Sequence, residues 1–377
     1  MNLRISGPCF GQSGYERITR GMVIALDKLG VHVQLIPYTN WNDEWCDLDS
    51  EDRMRLERMC RQEVSPTEPV LVAQFPDPAR DSLIRDSKMR ICYTLFETDR
   101  CPSYWRQRFA EAKISKVWTF SRFNYDYWTQ DGLPADRMDI MPFGIDTDLF
   151  SSEGDRAEIK NRKKFMFLTN GDFTERKNFE GLVEAFVTEF SGKDDVCLVV
   201  KTHFGGFTRQ HKEACKRKLK DIVMRFNPTD PPLVLFCGDK LADSDMPLLY
   251  RAADCFVLAS RGEGLGLIYA EAMACGVPCI ASNFGGMTDF ITEKNGWLVP
   301  CEIRTIDDTE YIRKCLVALN HKWAHPDMTA LKSYMQFAYM NPDICKEKGR
   351  QGREDIEKYT WQKCGLWIVK KIIEATA

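Results

Sequence analysis

Glu263 and Glu271 are the residues of this chain whose type and spacing say most about chemistry. They bracket the turn Arg261-Gly-Glu-Gly-Leu-Gly-Leu and the run after it, which favours helix until Gly276 and Pro278 stop it. The preceding segment, Asp254 to Ser260, is apolar and short, as a buried strand would be. Gly262, Gly264 and Gly266 allow a tight turn that exposes backbone N–H groups. Strand, glycine turn and helix together aim amides and the positive end of a helix dipole at one spot, which suits a phosphate or a sugar hydroxyl. Glu263 lies at the mouth of that spot and Glu271 about one turn into the helix. Carboxylates accept hydrogen bonds from vicinal hydroxyls, so the chemistry is that of a polyhydroxylated ligand carrying phosphate. On spacing alone, a packing turn followed by an exposed helix residue explains the pair equally well.

A second cluster stands in Asn170-Gly-Asp172-Phe-Thr-Glu-Arg176-Lys177-Asn178, ahead of a helix over Phe179 to Phe190. Arg176 offers a planar fork and Lys177 a point charge, a combination able to neutralise a pyrophosphate. In isolation the pair reads as surface charge. Lys201, ending the next strand, is a further candidate cation. Near the start, Gly7-Pro-Cys-Phe-Gly11-Gln-Ser13-Gly14 joins a strand to a helix over Ile18 to Gly30, and Ser13 is a suitable cap. Asp146 and Asp148 invite a metal, but aspartates two residues apart are better explained as cap or turn formers.

The elements that must position these groups are of the α/β type. Leu3 to Ser6, Val31 to Pro37, Val70 to Ala73, Arg90 to Phe96 and Lys116 to Ser121 read as strands, with a helix around Asn124 to Trp128. Residues 41 to 68, with Asp43, Glu44 and the acidic run Asp47 to Asp52, read as a solvated helix and loop. The polar stretch 151–163 reads as a linker. Beyond it, strands over Phe165 to Thr169, Val196 to Thr202, Leu233 to Cys237, Asp254 to Ser260 and Cys279 to Ser282 alternate with helices, as in a mainly parallel sheet. The basic stretch His211 to Lys220 has Cys215, Leu219, Ile222 and Val223 at helical spacing, hence a solvated amphipathic helix.

Composition bounds the function. With 377 residues, 44% of them hydrophobic, the chain has material for two globular cores. A formal charge of −3 provides no field for nucleic acid. The opening Met-Asn-Leu-Arg-Ile-Ser-Gly reads as a first strand and not a signal peptide. The 15 scattered cysteines lack zinc-site spacing and read as reduced, mostly buried thiols in a cytoplasmic protein.

The string from Glu263 to Ser282, continuing into Gly285-Gly286 and Asn295-Gly296-Trp297-Leu298-Val299, resembles the Glu-x7-Glu signature of the retaining nucleotide-sugar glycosyltransferases of family GT4. The resemblance implies the GT-B architecture, two Rossmann-like α/β domains with mainly parallel sheets facing across an interdomain cleft. It implies an acceptor-side domain at 1–150, the linker at 151–163, a donor domain at 164–358, and a last helix near 360–377 packed back on the first domain. The segment Pro142-Phe-Gly-Ile-Asp146 to Phe150 resembles the family's end of the first domain.

By the same resemblance Glu263 contacts the donor sugar and Glu271 the nucleotide ribose. The amides of Gly264, Leu265, Gly266 and Leu267 face the donor, and the first loop with Ser13 and Gly14 approaches it from the other domain. Lys177 falls on the family's diphosphate lysine. Asp172 occupies the place of its arginine, with Arg176 as the neighbouring substitute. A histidine that many members place after the strand Arg90 to Phe96 is absent, and Glu97 or Asp99 stand there instead.

The activity implied is transfer of a hexosyl unit from a UDP- or GDP-sugar to a hydroxyl acceptor, with no metal or other cofactor. The acceptor is a glycan, lipid-linked or protein-linked group, and a peripheral membrane contact is left open. Competing readings are a GT-B epimerase or phosphorylase and a catalytically silent sugar-nucleotide-binding subunit.

Overall fold

The computed structural model describes the chain except residues 39–47, 49, 75–76, 228, 308–311, 313–318 and 377. Asp43, Glu44 and Asp47 of the acidic segment thus lie outside the described residues, while its later part forms the helix Ser50–Arg61. The chain divides into two compact units, Met1–Asp146 with Tyr359–Ala377, and Thr147–Lys314 with Asn320–Lys358.

The first unit carries six strands, β1 (Asn2–Gly7), β2 (His32–Pro37), β3 (Val70–Ala73), β4 (Arg90–Tyr93), β5 (Lys116–Thr119) and β6 (Met138–Ile140). They pair in parallel in the order β2-β1-β3-β4-β5-β6. Val70 to Ala73 are all buried, as expected of a parallel strand covered on both faces. The first helix, α1 (Gly14–Lys28), begins earlier than the expected Ile18. The reason is a capping box: Ser13 Oγ accepts from the Glu16 amide, and the Glu16 carboxylate accepts from the Ser13 amide at 2.8 Å. The helix Trp361–Thr376 belongs to this unit and packs on α1. Gly21 leaves the space that the Trp361 ring fills, Trp118 meets Trp367 edge-on at 4.9 Å, and Lys371 pairs with Asp139 at 2.5 Å.

The second unit carries β7 (Phe165–Asp172), β8 (Val196–His203), β9 (Leu233–Cys237), β10 (Cys255–Leu258), β11 (Cys279–Ser282) and β12 (Gly296–Val299). Their order is β12-β11-β10-β7-β8-β9, again parallel. The chain therefore runs from β7 outward to β9, then returns to place β10 on the other side of β7. That reversal makes the carboxyl ends of β7 and β10 a topological switch point. An antiparallel pair, β13 (Cys301–Thr305) and β14 (Lys322–Pro326), lies apart from the main sheet. Its Ala324 amide bonds the Arg261 carbonyl at 2.7 Å.

Residues 151–163 belong to the second unit, held by Arg251 bonding the Ser151 and Asp155 carbonyls. Both units are Rossmann-like α/β folds with mainly parallel sheets.

Candidate functional site

The turn after β7 and the loop after β10 meet at the switch point, and each supplies charge. Glu175–Lys177 forms one 3-10 turn, closed by Asn178 in the left-handed region at φ 54°. Three bonds stitch this turn to the end of β10. Asn178 Nδ2 donates to the Ala259 carbonyl at 3.0 Å, the Arg261 amide donates to the Arg176 carbonyl at 2.7 Å, and Arg176 Nη1 donates to the Gly262 carbonyl at 2.8 Å.

Glu263 follows directly. Its Oε1 accepts from Lys177 Nζ at 2.7 Å, and its Oε2 lies 3.3 Å from Arg176 Nη1. Lys177 is 9% and Glu263 6% exposed, so this is a largely dehydrated ion triad. Burial by itself pushes the Glu263 carboxyl up; Lys177 and then Arg176 outweigh it and hold the group below its ordinary value. The sequence reading placed the two cations and Glu263 on different parts of a ligand. In the folded chain they also bind one another, which no spacing rule announces because 86 residues separate Lys177 from Glu263.

The glycine turn is built for close approach. Gly266 has φ 87° and caps α9 (Leu267–Ala274). Gly285 has φ 131°, and a Cβ there would lie 2.7 Å from the Glu263 carbonyl oxygen. The Gly286 amide donates to that same oxygen at 2.8 Å, and a Cβ on Gly286 would collide with the Gly264 carbonyl. Gly285 and Gly286 therefore fix the path of Glu263 to Leu265. The first-turn N–H groups of α9 point away from the helix body toward the glycine turn, where an acceptor would be held.

Glu271 sits in α9, an element apolar on all sides and buried nearly throughout. It is 1% exposed, and Tyr250 Oη donates to its Oε2 at 2.9 Å. Tyr250 comes from α8 (Met246–Ala252), and Asn170 Nδ2 reaches the same hydroxyl at 3.4 Å. Tyr250 escaped the sequence reading, since a tyrosine on a short apolar helix has the signature of core.

Asp172 and His203 end β7 and β8 side by side, with His203 Nε2 2.8 Å from Asp172 Oδ1. On β8 the sequence singles out Lys201, two residues before His203, and Lys201 is buried beside Phe207. The first-loop residues Ser13 and Gly14 belong to the other unit, where Ser13 serves as the α1 cap. Arg20 Nη1 holds that loop through the Cys9 and Gly11 carbonyls at 2.9 and 2.7 Å. Near the expected histidine position, Tyr15 Oη bonds Thr94 and the backbone of Leu95, and Asp99 lies 3.9 Å from Arg100.

Among the described residues, no group of three or more His, Cys, Asp or Glu is arranged to hold a metal ion. Nor is any described helix long and apolar enough to cross a membrane. The described cysteines form no disulfide, and most are buried.

Residues 162–320 match the family model described as Glycosyl transferases group 1. Mannosylfructose-phosphate synthase of Agrobacterium fabrum is 31% identical over 162 residues, which are 41% of this chain and 35% of that protein. The chain spans between about a third and a half of the length of the curated relatives it matches. Among solved structures, sucrose-phosphate synthase from Thermosynechococcus elongatus superposes with a TM-score of 0.68 at 19% identity, covering 100% of both chains. HepE of Anabaena, solved in complex with UDP-glucose, gives 0.65 at 14% identity, covering 99% of this chain and 100% of that one. The architecture is the GT-B fold, and the unit holding the Lys177–Glu263–Arg176 triad is related to the group 1 glycosyl transferases.

Proposed function

We propose that the chain is a retaining glycosyltransferase that moves a hexosyl unit from a UDP- or GDP-sugar to a hydroxyl acceptor. One observation carries the reading. A buried lysine, a half-buried arginine and a buried carboxylate are locked together at the switch point of a parallel sheet, beside the amino end of α9. Ligands of open α/β sheets bind at that point.

In this reading the donor diphosphate takes the place of Glu263 as partner of Lys177 and Arg176. The released carboxylate then accepts hydrogen bonds from sugar hydroxyls, and Glu271, steadied by Tyr250, accepts from the ribose. When the sugar–phosphate bond breaks, negative charge grows on the leaving diphosphate. Lys177, Arg176 and the first-turn amides of α9 stabilise it in place, with little reorganisation at the moment of reaction. Glu263 and Glu271 grip different parts of one donor, so paired-carboxylate hydrolysis is not the chemistry. The acceptor hydroxyl passes its proton to the departing phosphate oxygen, and the configuration at the anomeric carbon is retained. Ser13 and Gly14 are the first-unit residues assigned to the donor.

The test begins with thermal shifts in UDP, GDP, ADP and their sugars. Slow hydrolysis of the stabilising sugar nucleotide is then followed in the parent chain, Glu263→Ala and Lys177→Ala. Hydrolysis is expected to fall by about a hundredfold or more in both variants. Variants that hydrolyse donor as well as the parent chain would overturn the site. Conversion of the donor to an epimer, or cleavage that requires inorganic phosphate, would move the chain to a different GT-B reaction.

A further inference from the structure

A second polar pair, a carboxylate against an imidazole, stands beside the triad, and an imidazole is a group of the type that changes charge near neutrality. Asp172 and His203 are register partners at the carboxyl ends of β7 and β8. The Asp172 side chain is 59% exposed and that of His203 27%, so the pair stands at the rim of the site. Partial burial pushes the Asp172 carboxyl up. The hydrogen bond and charge of His203, followed by Lys177 and Arg176, reverse this and hold it below its ordinary value. The dyad therefore lies in the field of the same two cations that hold Glu263.

The imidazole also rests against Phe207, with ring centroids 4.5 Å apart. With Nε2 directed at Asp172, Nδ1 is buried and has no hydrogen-bond partner among the described residues. An additional proton would sit there.

The charged groups around the dyad are Lys177 and Arg176 from the turn after β7, both paired in turn with Glu263 of the loop after β10, and Lys201, whose Nζ lies 5.5 Å from the Phe207 ring. Side chains of these types ordinarily keep their charge through neutrality, whereas an imidazole changes its own there. A diphosphate beside Lys177 and Arg176 meets a negative rim when His203 is neutral. It meets a neutralised rim when His203 carries a proton.

We propose that Asp172 and His203 act as an affinity-setting dyad, through which uptake of a sugar-nucleotide diphosphate is coupled to partial uptake of a solvent proton by His203. This rests on the reading of Lys177 and Arg176 as the diphosphate site. By linkage, the bound donor in turn favours the protonated imidazole.

Sugar nucleotides are the right probe, because their pyrophosphate is esterified at both ends. A free nucleoside diphosphate has a terminal phosphate that itself titrates near about pH 6. Affinity for a UDP-sugar and a GDP-sugar is measured calorimetrically between about pH 6 and about pH 8, in buffers of different ionisation enthalpy, for the parent chain, His203→Gln, Asp172→Asn and Lys177→Ala. The parent chain is expected to bind about fivefold more tightly at the acid end and to take up a fraction of a proton. His203→Gln flattens the profile at the weak level. Asp172→Asn removes the negative charge of the rim while keeping the imidazole, and so binds better than the parent chain at the alkaline end. A flat parent profile, or one that both variants leave unchanged, overturns the dyad. Lys177→Ala separates the two readings: lost binding with unaltered profiles in the other variants overturns the dyad alone, and undiminished binding overturns the diphosphate site and the dyad with it.

Discussion

Glu263 is a carboxylate kept charged in a place that water barely reaches, and that has consequences for stability as well as for ligand binding. Its folded form holds the proton less tightly than the ordinary value of 4.5. As pH falls, the unfolded chain takes up the proton first, so the triad's contribution is complete above that value and disappears as pH drops through the lower folded one. The pH dependence of the urea midpoint in the acid range is therefore expected to be shallower in Glu263→Gln than in the parent chain. Lys177→Met leaves the carboxylate with Arg176 alone and is expected to cost about 3 kcal/mol, read from the same midpoint at neutral pH. Tyr250→Phe removes the donor at 2.9 Å from Glu271 inside the core. It is expected to cost about 2 kcal/mol and to weaken nucleotide binding while leaving the overall fold intact by far-UV circular dichroism.

At the scale of elements, the Glu263 loop is positioned by a partner with no chemistry of its own. Gly285 and Gly286 lie against the backbone of Glu263 to Leu265 so closely that neither position has room for a side chain. Gly286→Ala is expected to displace the loop and to reduce donor affinity or hydrolysis by about tenfold or more, although no polar group is removed. Strands and helices of this unit were legible in the sequence, since Val196, Leu233, Cys279 and Phe179 open the elements expected of them. Short apolar runs bounded by Gly, Pro and charge have little choice of structure. The expected span Asp254 to Ser260 narrowed to Cys255–Leu258, because Asp254 turns to bond Arg162 and the Met166 amide at the strand entrance. What could not be read were contacts distant in sequence. The Tyr250–Glu271, Asp172–His203 and Lys177–Glu263 pairs depend on which strands lie side by side, and strand order is not written in local periodicity.

At the scale of the whole molecule, two units with the same layered construction are made from one chain, and the first is discontinuous in sequence. The helix Trp361–Thr376 seats Trp361 against Gly21 and Gly144 and places Gly365 against Leu29 of the α1 C-cap. Trp361→Ala is expected to destabilise this unit by about 3 kcal/mol. Limited proteolysis should then cut first within Met1–Asp146, while Thr147–Lys314 persists. The aromatic and apolar spacing of that helix was visible in the sequence. Its seat was not, because two glycines far apart in the chain carry no sign that they face one tryptophan.

The return of that helix also orders events during synthesis. The second unit is translated in full, through Lys358, before Trp361 leaves the ribosome. Until then α1 presents the face around Gly21 and Ala25 with nothing laid over it. The part made first is thus completed last. A nascent chain halted after the second unit should carry a folded, nucleotide-responsive half and an unfinished one, the latter being the natural client of a chaperone.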